Sequence, residues 1–262
     1  MGVVLAVAGK GGVGKTTVCG LIIEALRRKT GGPVLAIDAD PNATLANVLG
    51  LNVDITLGGI QAETLQKIRE LPGGVPLSRH IEYELQKAVI EGKGVDLITM
   101  GRGEGPGCYC AVNSILRRSL ESLASGYPFT VLDNEAGLEH LSRRVSQGVD
   151  ALIVVSDGNP AALRAAARIS SLVDELELDL KQRGLLLNNL RDDLGPTSTA
   201  ILGKTGLSVL GRLAHDDAIA TLNLAERPLS ELRDDHALLQ DVDRILTDLL
   251  PQRSAVSEKE MP

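Results

Sequence analysis

Seven short runs along the chain are apolar with little or no polar alternation: Val3–Ala8, Val34–Asp38, Val95–Met100, Phe129–Asp133, Ala151–Ser156, Leu185–Asn188 and Leu207–Leu210. A strand with one face in water alternates apolar and polar residues, and a strand covered on both faces does not. These runs therefore predict strands buried on both sides. Between them lie segments of helical periodicity, among them Thr16–Arg28, Val112–Ser125 and Pro160–Leu176. The βαβα order predicts a doubly wound α/β fold, a mostly parallel sheet of about seven or eight strands flanked by helices, with right-handed crossovers. Residues 1–250 read as a single domain of this kind. Within it, 50–94 carries the turn Pro72-Gly73-Gly74 and weakly amphipathic stretches, which predicts a helical excursion before the strand at Val95. Residues 251–262 are polar and are predicted to fray.

Composition narrows the class. In 262 residues, a hydrophobic fraction of 44% supplies a core for one or at most two domains. Aromatics make up 2% and Trp is absent, so the core is built from Leu, Val, Ile and Ala, and aromatic platforms for stacking bases are not expected. A net charge of -7 argues against a nucleic-acid surface and against anionic lipid. No apolar run reaches the roughly 18 residues of a membrane span. The first residues lack a charged n-region and a cleavage site, and Ala6 stands where a myristoylation signal has Ser or Thr. The expectation is a cytoplasmic protein with neither membrane nor nucleic-acid partner. Three cysteines in that setting point to metal, redox chemistry or plain burial rather than a disulfide framework.

Gly9-Lys-Gly-Gly-Val-Gly-Lys-Thr-Thr17 follows a predicted strand and opens a predicted helix, the context a phosphate-binding loop requires. Backbone N–H groups of Gly9, Gly11, Gly12, Val13 and Gly14, with the helix N-terminus behind them, form a cradle for the phosphates of ATP or ADP. Lys15 would reach the β- and γ-phosphates, Thr16 would ligate Mg²⁺ and Thr17 would hydrogen-bond the α-phosphate. Two acidic strand ends accompany the loop. Asp38-Ala39-Asp40-Pro41 ends the second strand and Asp133 ends the run Phe129–Leu132. Carboxylates at such positions can hold Mg²⁺, directly or through water, or orient an attacking water; they can also simply cap a turn.

Lys10, directly after the first glycine, makes the loop resemble the deviant Walker A motif of the MinD/ParA/nitrogenase-iron-protein superfamily. The resemblance implies that Lys10 reaches across a homodimer interface to the partner's phosphates, so that Lys10, Lys15 and Asp40 carry catalysis. It makes Asp40 the switch I residue that positions water, Asp133 a Walker B acid holding Mg²⁺ through water beside Asp38, and Asp133-Asn134-Glu135-Ala136-Gly137 a switch II in which the Gly137 N–H senses the γ-phosphate. Asn188 matches the family's adenine contact, with Asn189 beside it an alternative. Arg212–Asp216 falls where the family's loop closes over the base. His140, just past Gly137, is either structural or a link between nucleotide and metal.

Cys108-Tyr109-Cys110 follows the glycine-rich stretch 101–107. In extended backbone, residues i and i+2 project to the same side, so both sulfurs could approach one metal, and a symmetric dimer would complete a four-thiolate site. Cys19 falls on the apolar side of the first helix and reads as core. Taken with the deviant Walker A, Asp-x-Asp-Pro and Asp-x-Glu-Ala-Gly-x-Glu-His, the cysteine pair resembles the CooC-type nickel-insertion ATPases of carbon monoxide dehydrogenase and the related acetyl-CoA synthase maturation factors. That resemblance runs over most of residues 1–250. It implies an ATP-gated homodimer binding Ni²⁺, or Zn²⁺ in its place, through Cys108 and Cys110 of each chain and delivering it to the apo form of either client enzyme. The alternatives are a MinD- or ParA-like regulatory ATPase, recruited to membrane or DNA, and an iron–sulfur ATPase resembling the nitrogenase iron protein.

Overall fold

The computed structural model describes residues 2–67, 76–101, 110–135 and 149–250. Eight strands form one sheet: β1 (Val3–Gly9), β2 (Val34–Asp38), β3 (Ile90–Glu91), β4 (Val95–Thr99), β5 (Phe129–Asp133), β6 (Ala151–Ser156), β7 (Gln182–Leu190) and β8 (Ser208–Ala214). Their order is β3-β4-β2-β5-β1-β6-β7-β8, parallel throughout except for β3 against β4. The helices are α1 (Lys15–Thr30), α2 (Leu45–Leu49), α3 (Leu57–Lys67), α4 (Leu77–Ala88), α5 (Cys110–Ala124), α6 (Pro160–Glu175), α7 (Pro196–Leu202), α8 (Asp217–Leu224) and α9 (Ala237–Leu249).

The unalternated strands are buried on both faces, and their pleat divides the core. Leu5, Val7, Val34, Ala36, Ile153 and Val155 face α1, α8 and α9, while Ala6, Ala8, Leu35, Ile37, Leu152 and Val154 face α3, α4, α5 and α6. Each strand thus serves two cores. All strands but β3 end on one edge, and β1 lies between β5 and β6, where the chain reverses its direction of progress across the sheet. Ligands of doubly wound proteins bind at such a switch point.

Four expectations need correction. β7 runs over Gln182–Leu190 rather than Leu185–Asn188, its less buried ends lying outside the apolar run. The stretch 50–94 is helical as α3 and α4, but it also carries the antiparallel β3, too short for a periodic signal. β8 runs to Ala214 rather than Leu210, because an edge strand alternates, with Leu213 buried and its neighbours Arg212 and Ala214 turned outward. Arg212, Leu213 and Ala214 are consequently strand, and only His215 and Asp216 of that segment lie in the loop beyond it. Helix α5 starts at Cys110, two residues ahead of the expected Val112.

Candidate functional site

β1 ends at Gly9 and α1 begins at Lys15, so residues 10–14 form the turn between a buried strand and a buried helix. Gly14 is the N-cap of α1 at φ 86°, and no side chain caps the helix. The orphan N–H groups of the first turn therefore remain available, together with the positive end of the helix dipole, for phosphate oxygens. A Cβ on Gly14 would lie 2.5 Å from Asn188 Nδ2. Gly12, also left-handed at φ 84°, has open space where its Cβ would be, as a surface that receives a ligand must. Lys15 is buried at the base of the loop and Lys10 is exposed on it.

Asp38 and Asp133 end β2 and β5 in register with one another. Asp38 is 0% exposed and spends both oxygens on the backbone: Oδ1 accepts from Asp40 N at 3.0 Å and Oδ2 from Leu45 N at 2.9 Å. It fixes the loop 39–44 and caps α2. Burial pushes its carboxyl up to about 7 against the two N–H donors, which lower it, with the charge of Asp133 adding to the rise. Asp133 is 1% exposed, and neither of its oxygens has a hydrogen-bond partner of good geometry. Burial raises this carboxyl too, offset by Thr16, Lys15 and the Cys19 thiol beside it. A buried carboxylate with open lone pairs, next to a hydroxyl and an ammonium, fits a hydrated Mg²⁺. Asp40 is half-buried, and its Oδ1 accepts from Asn42 N and Nδ2, both at 2.9 Å.

On the other side of the loop is a cavity of ≈ 200 Å³ bounded by Gly12, Thr17, Asn188, His215, Asp216 and Asn223. Asn188, 8% exposed near the end of β7, donates Nδ2 to the Val13 carbonyl at 3.0 Å. Asn189, at φ 59°, also lines the cavity and meets His215, its Oδ1 being 2.6 Å from His215 Nδ1. The cavity adjoins the phosphate loop, since Gly12, Val13, Gly14 and Thr17 line it on one side and Asn188 and His215, from β7 and the loop after β8, on the other.

A family described as the CobQ/CobB/MinD/ParA nucleotide binding domain matches residues 4–229. The chain belongs to that family. An uncharacterized ATP-binding protein of Methanocaldococcus jannaschii is 37% identical over 252 residues, covering 95% of this chain and 99% of that protein. The carbon monoxide dehydrogenase accessory protein CooC of Rhodospirillum rubrum is 32% identical over 183 residues, 66% of this chain and 69% of its own. Among solved structures, the septum site-determining protein MinD of Pyrococcus horikoshii, complexed with Mg-ADP, superposes with a TM-score of 0.68 at 24% identity, covering 95% of this chain and 96% of that one. As a member of the CobQ/CobB/MinD/ParA family the chain is an ATPase, and its fold is that of the ParA and MinD proteins.

Within this family's fold the structure brings Gly9–Thr17, Asp38, Asp40, Asp133 and Asn188 to one sheet edge. Gly137, His140 and Cys108 lie outside the described residues, and Cys110 is described as the first residue of α5 without its side chain. Cys19 is fully buried in the core; burial, and then Asp133, keep its thiol well above the usual range and so protonated. Two neighbours of the site were not legible in the sequence. Asn223 donates Nδ2 to Thr17 Oγ1 at 3.3 Å from 206 residues away, and no local pattern announces so distant a contact. Thr44 stands 3.4 Å from Thr16, Oγ1 to Oγ1, and a Thr before the apolar Leu45 reads as an ordinary helix cap.

Proposed function

We propose that this ATPase is a nucleotide-gated homodimer that carries nickel, or zinc in its place, between Cys108 and Cys110 of its two chains and delivers it to apo carbon monoxide dehydrogenase or acetyl-CoA synthase. The observation that carries the reading is a shared edge. The connection holding Cys108 leaves β4 at the same C-terminal sheet edge that bears the phosphate loop, and β4 lies beyond β2 from Asp133. In this reading, movement driven by nucleotide at that edge reaches the cysteine-bearing segment. The CooC relative, whose name ties it to carbon monoxide dehydrogenase, supports the choice of client.

In this reading Lys15 and the N–H groups of 9–14 hold the phosphates, and the partner's Lys10 neutralises charge on the transferred group. Thr16, and Asp133 through water, would hold Mg²⁺, which supplies charge neutralisation when bound, while Asp38 behind them holds the loop that carries Asp40. Asp40 orients the attacking water. Asn188 donates one Nδ2 N–H to Val13, which orients the amide and leaves Oδ1 as an acceptor for the exocyclic amine of adenine. Lys10 is exposed and has no hydrogen-bond or ion-pair partner among the described residues, as a residue awaiting a partner chain would be.

Metal analysis of purified protein with ADP or ATP, paired with its mass in solution, tests the reading. The expected result is close to one ion per dimer, lost in the Cys108→Ser/Cys110→Ser double variant. Nickel bound with unchanged affinity by that variant would overturn the metal assignment, and full ATPase activity in Lys10→Gln would overturn catalysis across the interface. A regulatory ATPase of the MinD kind, which has the same fold, predicts nucleotide-dependent capture by lipid vesicles and no stoichiometric metal. Against it, the apolar face of α9 (Leu238, Val242, Ile245, Leu249) is buried on the sheet and α1. No helix among the described residues is long and apolar enough to cross a membrane.

A further inference from the structure

Three features of the loop between β2 and α2 converge on Thr44. First, its hydroxyl is at the N-cap of α2, where a Thr side chain ordinarily accepts from the helix, yet it makes no capping bond. Asp38 Oδ2 takes the Leu45 N–H instead, from inside the core. The Thr44 hydroxyl is thus released from the task its position would normally give it.

Second, the backbone spends strain to aim it. Ala43, a non-glycine residue, is left-handed at φ 53°, held by its N–H to the Asp40 carbonyl at 3.0 Å, while the Asp40 carboxylate folds back onto Asn42. A relaxed alanine at this point would carry Thr44 elsewhere. Third, the aim is at the cation side of the phosphate loop: Thr44 Oγ1 is 3.4 Å from Thr16 Oγ1, while residue 44 itself is exposed. Adjacent ligands of an octahedral Mg²⁺, each at about 2.05 Å, are about 2.9 Å apart, and opposite ones about 4.1 Å. The two hydroxyls are about 0.5 Å wider apart than the adjacent arrangement, a gap that a small side-chain rotation closes, and the open carboxylate of Asp133 lies beside Thr16.

We propose that Thr44 is a second protein hydroxyl ligand for the divalent cation of bound nucleotide, occupying the coordination position next to Thr16 and tying the loop 39–44 to that cation. This rests on the reading of 9–17 as a Mg²⁺–nucleotide site. It goes beyond that reading because the position of Asp40 in the same loop becomes dependent on the cation. A loop anchored from the interior by Asp38 and by the Ala39 N–H on the Asp133 carbonyl gains a further anchor when nucleotide and cation are both present.

The test replaces the cation by Mn²⁺ and reads its coordination by electron paramagnetic resonance in full-length protein with AMPPNP, using line broadening by ¹⁷O water to count water ligands. In Thr44→Val the Mn²⁺ should carry one more exchangeable water than in the wild type, and its affinity for the protein–AMPPNP complex should fall about tenfold, the size expected for one lost contact to a charged group. Thr44→Ser should restore both. Thr44→Ala carries the same expectation should the valine variant not fold. Wild-type water count and Mn²⁺ affinity in the valine or alanine variant would overturn the proposal while leaving the nucleotide site intact. Absence of nucleotide-dependent Mn²⁺ binding in the wild type would instead overturn the site itself. A purely structural Thr44 would move the melting temperature and leave the Mn²⁺ spectrum unchanged.

Discussion

Asp38 and Asp133 lie side by side on two strand ends, and burial is the leading reason both carboxyls are held above their usual range. For an acid whose pKa is higher folded than unfolded, the native state binds more protons in between, so its contribution to stability falls as pH rises through that window. For Asp38 the window runs from about 4 to about 7. In nucleotide-free protein, urea titrations at pH 5 and pH 8 should show wild type losing about 2–4 kcal/mol relative to Asp38→Asn between the two conditions. No difference in slope would place the Asp38 carboxyl in its ordinary range. Asp133→Asn removes a buried charge that no hydrogen bond satisfies, so the empty protein should melt about 2–4 °C higher while the stabilisation by Mg-ATP disappears. Differential scanning fluorimetry reads both. At this scale the sequence marked glycines and strand-end acids because their chemistry is tied to adjacent residues. It did not mark Thr44 or Asn223, whose roles depend on contacts across the fold.

Helix α1 carries the phosphate loop, and its far end is clamped. Glu24, almost fully buried, pairs with Arg27 at 2.6 Å and Arg28 at 3.4 Å, and Arg28 donates Nη2 to the Leu232 carbonyl at 2.8 Å. α9 lies along the same helix, with Lys29 reaching Asp243 at 2.8 Å. Glu24→Gln should cost about 1–3 kcal/mol, because it removes the buried carboxylate that two partly buried guanidinium groups share, and Leu246→Ala about 2–5 kcal/mol by leaving a cavity. Both losses should appear in denaturation midpoints, with ATP affinity less affected than stability. The strands β2, β5 and β6 match their apolar runs at both ends, since a strand covered on both faces leaves a continuous signal. β3 and the extension of β8 escaped because a two-residue strand has no period and an edge strand mixes polar positions into its run.

For the whole molecule, charge and topology set separate conditions. A chain of net charge -7 repels a second copy of itself, and the triphosphates at a shared interface add to that repulsion. If nucleotide brings two chains together, the dimer should tighten as ionic strength rises from about 0.05 to about 0.3 M, where screening shortens the reach of the repulsion. Sedimentation at both salt levels with AMPPNP checks this, and a dimer that loosens with salt would mean that attractive pairs such as Lys10 with phosphate dominate the interface. The order β3-β4-β2-β5-β1-β6-β7-β8 has a further consequence for synthesis. The phosphate loop leaves the ribosome well ahead of its walls, which come from Asp133, Asn188 and Asn223, the last of these more than 200 positions later. A nascent or truncated chain that stops short of Asn223 holds the loop without the complete site, so ATP grips the protein only after those distant walls have been made.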